Sequence, residues 1–572
     1  VAENNAPYIA HGQIHSQNFL VPKPNLWSLE TPALYTAETR ILINGSEVDA
    51  YDTRFGIRKL EYLPDQGFFL NGKPTKFKGV CNHHDLGPLG AAVNKSAILH
   101  QVELMKNMGA NAIRTSHNMP APELVEICDE LGVMLMIEPF DDWSFRPKSP
   151  NGYGAFFNEW AEKDITNMVK RYRNNPSVVM WSIGNEVPSQ WGPDGVSELT
   201  MLQNLVKSLD ETRPVTCGMD QIGSVLDNGF AASLDIPGFN YKPQYYRLAY
   251  EKLPQKMILG SETASTVSSR GVYHFPVSFV KEHNAVLHND HQSSSYDNET
   301  CDWSNTPDID FYMDEQPWVL GQFVWTGFDY LGEPSPYDTD AWPSHSSVFG
   351  IVDLASLPKD RYFLYRSHWN KNDATLHILP HWNWKGREGQ ITPVFVYTSY
   401  PKAELFINGK SQGIREKNDS TLQTRYRLMW NETKYEPGEL KVVAYDKNGK
   451  TAAEKIIRTA GKPHHIVLST NRDTLGANGN DLAYITVQIA DKDGNIIPTE
   501  NRKIKFTVSG SGNFEASANG DPTSLLSFQE PEMNLFSGAA TAIVRSGNES
   551  GDLIFTAKAD GVKPASLTLK VK

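Results

Sequence analysis

The chain has few of the features that mark disulfide-rich, zinc-knuckle or membrane proteins. It contains 4 cysteines among 572 residues, and their wide spacing leaves no CxxC pair. Such spacing argues against a disulfide framework and favours four free thiols. No apolar run approaches the roughly 18 residues that a membrane helix requires. The composition therefore indicates neither a stapled miniprotein nor a membrane span.

Positive charge is also scarce. Lys and Arg number 54 against 67 Asp and Glu, a net charge of −13. Nucleic-acid binding needs a basic face, so nucleic acid is not the expected partner. Hydrophobic residues make up 40% of the chain, which supports folded cores rather than disorder. Aromatic residues, at 11%, suit stacking on sugar rings as well as β-sandwich cores.

The amino terminus gives no targeting signal. Residues 1–5 (VAENN) have neither a basic start nor an apolar stretch. A removed signal peptide would leave the same start, so the sequence leaves the compartment open. Our expectation is a periplasmic or secreted bacterial protein, and the sequence is compatible with a homo-oligomer.

Residues 1–60 have the alternation of β-strands, with Asn44 and Gly45 as a hairpin turn between residues 35–43 and 48–51. An immunoglobulin-like sandwich needs about seven strands, and fewer fit here. We therefore predict a partial immunoglobulin-like sandwich with exposed strand edges, as if the chain began inside a domain.

Residues 61–375 change to short apolar strands separated by helical periodicity, including a helix that ends at Gly132. The eight predicted strands are 76–80, 112–115, 134–137, 178–182, 215–218, 236–239, 257–259 and 322–325. Eight alternations of strand and helix are typical of a (β/α)8 TIM barrel. A doubly wound sheet is the alternative, but no GxGxxG turn follows the first strand.

The remaining chain is predicted to be β. Residues 403–407 precede the hairpin turn Asn408-Gly409, and residues 440–445 alternate. A Gly-Lys-Pro linker at 461–463 leads to a last β region. We predict two immunoglobulin-like sandwiches, 376–460 and 461–572, so that the fold class is a multidomain chain with sandwiches flanking the barrel.

Barrel enzymes place their chemistry after the carboxyl ends of the strands, and many polar groups follow the predicted strands here. Glu186 after the fourth strand and Glu262 after the seventh form the best pair of carboxylates for cleaving a glycosidic bond. One carboxyl group protonates the leaving oxygen while the other attacks or activates water, and a retaining enzyme needs the two about 5–5.5 Å apart.

Other strand ends supply candidate substrate-binding residues. Asn185 can donate to a ring hydroxyl, and His117 and Tyr241 can hold the nucleophile. His84 and Asp85 are predicted to bind substrate hydroxyls, whereas adjacent histidines make poor ligands for one metal ion. Three further candidates follow or end the eighth strand: Trp325, Asp329 and Glu333.

Four segments carry a family resemblance. Residues 111–120 (NAIRTSHNMP) and 173–186 (RNNPSVVMWSIGNE) resemble the two signatures of glycoside hydrolase family 2. Residues 258–262 (ILGSE) resemble its nucleophile strand, and residues 321–334 resemble the eighth-strand segment of its β-galactosidase-like members. The resemblance implies Glu186 as general acid/base, Glu262 as nucleophile, a retaining mechanism and flanking sandwiches.

Three departures from the family pattern stand out. Members begin with a jelly-roll domain and a full immunoglobulin-like domain, so we expect this chain to be a fragment or a processed product. Asn118 stands where the first signature has an aromatic residue. Some β-galactosidases bind Mg²⁺ through carboxylates and a histidine after the third strand, but Ser144 replaces the histidine beside Asp141 and Asp142. We therefore predict no metal and no cofactor.

The histidines in the long segment after Glu262, His283, His288 and His291, show no regular ligand spacing. We interpret them as members of a solvated loop. The segment itself, about 263–307, is long for a barrel connection and is expected to shape the aglycone side of the pocket.

The carboxylate pair predicts a glycosidase, and the resemblance to family 2 implies that it is exo-acting and retaining and that it acts on terminal β-D-galactosyl residues. The partner is a carbohydrate substrate, a β-galactoside or glycan. Alternatives are a β-mannosidase, a β-glucuronidase, or a catalytically dead sugar-binding protein. Relatives that cleave glucuronides carry an Asn-x-Lys motif that residues 347–353 do not have, and Asp329 and Glu333 would repel a sugar carboxylate. A purely anchoring role for these two acids is the alternative.

Overall fold

The computed structural model describes residues 16–279, 288–333 and 342–572. It confirms a barrel flanked by antiparallel β domains. No helix in these three ranges is both long enough and apolar enough to cross a bilayer.

One hairpin, β1 (Tyr35–Ile43) and β2 (Ser46–Phe55), is the only sheet in described residues 16–59. The predicted turn is confirmed, since Asn44 and Gly45 have φ angles of 52° and 81°, as a primed hairpin turn needs. Most hairpin side chains are exposed. A small sheet follows: β3 (Leu60–Leu63), β4 (Gly67–Leu70) and β5 (Lys73–Pro74).

Eight parallel strands close into a barrel in sequence order, and each of them matches a strand predicted from sequence. They are β6 (Phe77–Asn82), β7 (Ala112–Thr115), β8 (Met134–Ile137), β9 (Val178–Asn185), β10 (Val215–Met219), β11 (Ile236–Asn240), β12 (Ile258–Thr263) and β13 (Val319–Val324). Three boundaries differ from the prediction by several residues. β9 runs on to Asn185, β12 includes Glu262, and β13 begins at Val319, because barrel hydrogen bonds extend each strand beyond its apolar run. Trp325 follows the end of β13.

Helices surround the barrel. They are α1 (Lys95–Met108), α2 (Pro122–Leu131), α3 (Phe157–Tyr172), α4 (Gly195–Leu209), α5 (Ile222–Asp227), α6 (Phe230–Ser233), α7 (Tyr246–Lys252), α8 (Pro307–Asp314) and α9 (Asp360–Trp369). The Asn94 side chain caps α1 by accepting from the backbone N–H of Ala97, and α2 ends at the predicted Gly132 with φ 68°.

The middle sandwich packs a three-stranded sheet on a four-stranded one. Its elements are β14 (Leu376–Leu379), β15 (Val394–Thr398), β16 (Lys402–Ile407), β17 (Lys410–Glu416), α10 (Leu422–Tyr426), β18 (Leu428–Trp430), β19 (Glu439–Tyr445) and β20 (Thr451–Arg458). The predicted Asn408-Gly409 turn joins β16 to β17.

The last sandwich packs a four-stranded sheet on a five-stranded one. Its strands are β21 (His465–Thr470), β22 (Thr474–Leu475), β23 (Leu482–Ala490), β24 (Lys503–Gly510), β25 (Gly512–Ala518), β26 (Glu532–Asn534), β27 (Ala539–Ser546), β28 (Gly551–Lys558) and β29 (Ala565–Val571). It docks on α1, where the Tyr484 ring stacks on His100 at 4.0 Å.

Candidate active site

Glu186 and Glu262 both lie at the carboxyl end of the barrel, on strands separated by β10 and β11. Glu186 directly follows β9, where its N–H donates to the carbonyl oxygen of Gly218 at 2.8 Å. Its φ angle of 46° is unusual for a residue other than glycine, and such backbone conformations concentrate at active sites. Glu262 is 3% exposed, inside β12.

Two donors hold the Glu262 carboxylate. Nη1 of Arg114 donates to Oε1 at 3.0 Å, and the Tyr241 hydroxyl donates to Oε2 at 2.7 Å. His117 Nε2 lies 3.6 Å from Oε1. Burial, together with the charges of Glu262 and Glu186, raises the pKa of Tyr241 well above its usual value, so the phenol stays protonated and donates. Glu262 is therefore fixed in one orientation by a cation and a neutral donor.

The environment of Glu186 is different. Burial, together with the charges of Glu262 and Asp220, raises the pKa of Glu186 to about 7. One hydrogen bond opposes it, since Asn240 Nδ2 donates to Oε1 at 3.0 Å. A substantial fraction of Glu186 therefore carries a proton at neutral pH. Two neighbouring carboxyl groups in such contrasting surroundings can divide acid and base work between them.

Arg114 and Glu138 form the buried base of the site, and neither was assigned a role from sequence. The Arg114 guanidinium is 2.7 Å from Glu138, and Glu138 Oε1 is 2.6 Å from His117 Nδ1. Burial alone would raise the pKa of Glu138, but Arg114 and His117 outweigh it and lower that pKa to about 2. The signal available in sequence was the position of Arg114 within the first signature segment and of Glu138 directly after β8.

Asn185 lies at the centre of this network. Its Oδ1 accepts from Arg114 Nη2 and from Asn240 Nδ2, each at 2.8 Å. Its Nδ2 is 3.4 Å from His117 Nε2. Asn240, which ends β11, thus links Asn185 to Glu186; the sequence places it among the polar groups at the strand ends without indicating a role for it.

Aromatic rings line one side of the site. Trp325 stacks on His117 with ring centroids 5.3 Å apart and an 8° angle between the planes. His83 contacts both Trp325 and Tyr330, with centroids 5.3 and 4.4 Å away. Burial and the neighbouring histidines lower the pKa of His83 to about 3, so its ring is neutral. His83 therefore contacts the aromatic rings of the site, whereas the sequence had indicated its neighbour His84 as the substrate-binding histidine.

Two predicted hydroxyl-binding residues make contacts within the protein. Asp85 accepts from the backbone N–H groups of Gly87 and Leu331, and so ties the loop after β6 to the loop after β13. His84 Nδ1 is 3.2 Å from Asn118 Oδ1. Their role in substrate binding stays a prediction.

Asp329 is paired with a buried cation, which corrects the expectation that it would repel a sugar carboxylate. Lys359 Nζ is 2.7 Å from Asp329, both side chains are buried, and Asp329 also accepts from the N–H of Gly350 at 2.7 Å. A compensated carboxylate repels a sugar carboxylate far less than a free one. These contacts favour an anchoring role for Asp329. Glu333 is exposed and accepts a hydrogen bond from the Tyr330 hydroxyl.

The segment after β8 does not fit a Mg²⁺ ligand set. The Ser144 hydroxyl donates to Glu198, and Lys148 Nζ lies 3.4 Å from Asp141. Asp142 accepts from the backbone N–H of Lys148 at 3.1 Å. A lysine ammonium beside the acidic pair would compete with a cation, and the Ser144 hydroxyl is already engaged by Glu198.

Sequence models of four families match the chain. The family 2 TIM barrel domain of glycosyl hydrolases matches residues 62–286, and a further glycosyl hydrolases family 2 domain matches 2–58. Glycoside hydrolase family 2 C-terminal domain 5 matches 466–568, and a domain of unknown function, DUF4982, matches 389–453.

Curated relatives include enzymes of two specificities. A β-galactosidase of Bacteroides ovatus is 38% identical over 98% of this chain and 69% of its own length. A putative β-glucuronidase of Formosa agariphila is 31% identical over 92% of this chain and 51% of its own length. The chain thus spans 69% of the length of the first relative and about half, 51%, of the second.

Solved structures of glycosidases have a similar fold. A β-glycosidase from Bacteroides vulgatus superposes with a TM-score of 0.84 and 34% identity, covering 96% of this chain and 71% of that one. A glycosyl hydrolase family 2 member from Bacteroides cellulosilyticus gives a TM-score of 0.83 and 32% identity, covering 96% and 69%.

Proposed function

Because the chain belongs to glycoside hydrolase family 2 and is a β-glycosidase, we propose that it releases terminal non-reducing β-D-galactosyl residues with retention of anomeric configuration. The observation that carries the proposal is the contrast between the two carboxyl groups. Glu262 is held by Arg114 and Tyr241, whereas burial raises the pKa of Glu186 to about 7.

The first chemical step uses both groups. Glu262 attacks the anomeric carbon and forms a glycosyl ester, while Glu186 gives its proton to the glycosidic oxygen, and the C–O bond to the aglycone breaks. Arg114 and Tyr241 keep the attacking oxygens in place, which lowers the entropic part of the barrier.

The second step hydrolyses the glycosyl ester and regenerates the free enzyme. Glu186, now ionised, takes a proton from water, whose oxygen attacks the anomeric carbon from the face that the aglycone left. The ester bond to Glu262 breaks, and the sugar departs with its original configuration. The same residue thus serves as acid and then as base, which a pKa near 7 suits.

A neutral sugar is favoured by the residues at the position of the glucuronide motif. Ser347 and Phe349 are buried there, and the Ser347 hydroxyl accepts from the N–H of Tyr330. Neither side chain offers a cation to a carboxylate, and Lys359 nearby is paired with Asp329. The choice of galactose among neutral sugars rests on the Bacteroides ovatus β-galactosidase.

The test is kcat/KM on matched nitrophenyl β-galactoside, β-mannoside and β-glucuronide. We expect the galactoside to lead by at least about tenfold, a difference of roughly 1.4 kcal/mol in transition-state binding. A clear preference for the glucuronide or the mannoside would overturn the sugar assignment. Turnover of none of the three would support the sugar-binding alternative.

A further inference from the structure

Three side chains converge in the segment between β12 and α8, and none of them belongs to the carboxylate network around Glu186 and Glu262. They are His274, His288 and Glu299, whose nearest nitrogen and oxygen atoms all lie within 4.8 Å of one another. His288 Nε2 is 2.8 Å from Glu299 Oε1, and His274 Nδ1 is 3.8 Å from the same oxygen. The sequence predicts a solvated loop here. Instead, His288 meets a buried carboxylate, while His283 lies outside the described residues.

Glu299 is oriented by the backbone. Its Oε2 accepts from the N–H of Ser294 at 2.9 Å, which leaves Oε1 directed at the two imidazoles. The residue is 8% exposed. A buried carboxylate needs a positive partner, because water does not compensate its charge.

His274 is held by its other nitrogen. Its Nε2 is 3.2 Å from Asp290 Oδ2, while Nδ1 is buried and has no hydrogen-bond partner in the described part of the chain. A histidine that binds a metal commonly donates its second ring N–H to a carboxylate, which fixes the ring and leaves the first nitrogen as a lone-pair donor. His274 has this arrangement.

We propose that His274 Nδ1, His288 Nε2 and Glu299 Oε1 bind one divalent transition-metal cation of the zinc class. Metal–ligand bonds of about 2.0–2.2 Å in tetrahedral geometry set ligand atoms roughly 3.3 Å apart. The distances from Oε1 to the two nitrogens, 2.8 and 3.8 Å, lie on either side of that value. Two imidazoles favour zinc over magnesium or calcium, which prefer all-oxygen ligand sets.

The ion would act as a structural cross-link. The same segment contacts both sandwiches: Arg270 Nη2 donates to the Phe536 carbonyl at 2.9 Å, Gln292 to Asp521 at 3.0 Å, and the Tyr296 hydroxyl to the Pro393 carbonyl at 2.7 Å. An ion joining residues 274, 288 and 299 would close two loops in this segment and stabilise the surface on which the sandwiches dock.

The experiment uses the full chain after treatment with a chelator and its removal. Zinc chloride alone is titrated by calorimetry at about pH 7.5, because metal binding competes with protons for the ligand atoms. Thermal unfolding is followed with and without the metal. We expect one site per chain with a dissociation constant in the micromolar range or tighter, and a higher midpoint of unfolding. Cobalt should give the visible absorption of a four-coordinate site.

Variants separate the proposed ligands from their neighbours. His274→Gln and His288→Gln should each weaken zinc binding by at least about 100-fold, and Asp290→Asn by about 10–100-fold. His291→Gln is the matched control in the same segment and should bind as the unaltered chain does. Glycosidase activity is recorded separately, because the metal site does not depend on the proposed sugar specificity.

Two results would overturn the assignment. If the unaltered chain binds no zinc, His288 and Glu299 form only a hydrogen-bonded pair. If zinc uptake persists undiminished in the histidine variants, other side chains bind it, such as His464 and His465, whose Nδ1 atoms are 3.1 Å apart.

Discussion

Arg114 and Glu262 meet inside the barrel, where Nη1 of the guanidinium donates to Oε1 of the carboxylate at 3.0 Å and both side chains are almost completely buried. The same guanidinium reaches Glu138 at 2.7 Å. One cation thus compensates two carboxylates, one directly after β8 and one within β12. Removing it would leave both without their main partner, which makes Arg114 a determinant of stability as well as of nucleophile position.

Arg114→Met should destabilise the barrel by about 3–5 kcal/mol at pH 7, because breaking a buried ion pair leaves an uncompensated charge. The pKa of Glu138 is lowered from 4.5 to about 2, so its contribution to stability is present above pH 4.5 and is lost as the pH falls toward 2. The cost of the substitution should therefore shrink near pH 4. Thermal unfolding of both chains at pH 7 and pH 4 measures this.

The control for Arg114 is Arg54→Met, which breaks an exposed pair with Glu130 and should cost about 0–1 kcal/mol. Equal destabilisation by the two substitutions, or a cost for Arg114→Met that grows toward low pH, would contradict the charge argument.

Glu262→Gln should reduce kcat by about 10⁴-fold or more, because the amide cannot form the glycosyl ester. Binding of the product sugar should change little. Rates on nitrophenyl β-galactoside measure the loss, and proton NMR of the first-formed anomer from the unaltered chain reports retention. A first product of inverted configuration would rule out Glu262 as nucleophile.

Glu186→Ala should slow substrates with poor leaving groups more than substrates with good ones. Substrates with poor leaving groups need protonation and should lose about 10²–10⁴-fold in kcat/KM, whereas a dinitrophenyl glycoside should lose far less in the glycosylation step. Azide should restore turnover by replacing the water that Glu186 activates. An equal loss for all leaving groups would remove Glu186 from the acid role.

The alkaline limb of the kcat/KM profile should report Glu186, with its pKa near 7. Asn240→Ala removes a hydrogen bond that favours the charged form, so the limb should move to higher pH by about 0.7 unit, the equivalent of roughly 1 kcal/mol. Asp220→Asn removes a charge that raises the pKa and should move the limb the other way. Shifts in the same direction for both variants would exclude Glu186 as the group that titrates.

Trp303→Ala should affect the aglycone more than the sugar. The Trp303 ring packs against Tyr241 with centroids 4.6 Å apart, is 40% exposed, and lines a cavity of about 230 Å³. Loss of a stacking face of this kind should raise KM for disaccharides by about 5–10-fold, equivalent to roughly 1–1.4 kcal/mol. Inhibition by free galactose serves as the control and should be unchanged.

The barrel could be predicted from sequence because its signals are local. Apolar runs such as 134–137, the glycine that ends α2 and the Asn44-Gly45 turn each act within a few residues of chain. The carboxyl end of a barrel strand is also a local property, which is why the amino-acid sequence alone was enough to single out Glu186 and Glu262.

Tertiary structure alone decided what each polar group faces. Asp329 looked like a free acid beside the pocket, but Lys359, 30 residues away, compensates it. Arg114 joins Glu138 and Glu262, and Asn240 reaches back to Glu186, across separations that no periodicity encodes. Burial and charge compensation depend on neighbours that only the closed barrel brings together. The sequence therefore determined the strands and the positions of the two carboxylates at their ends. The fold determined the protonation of these carboxylates and the residues that contact them.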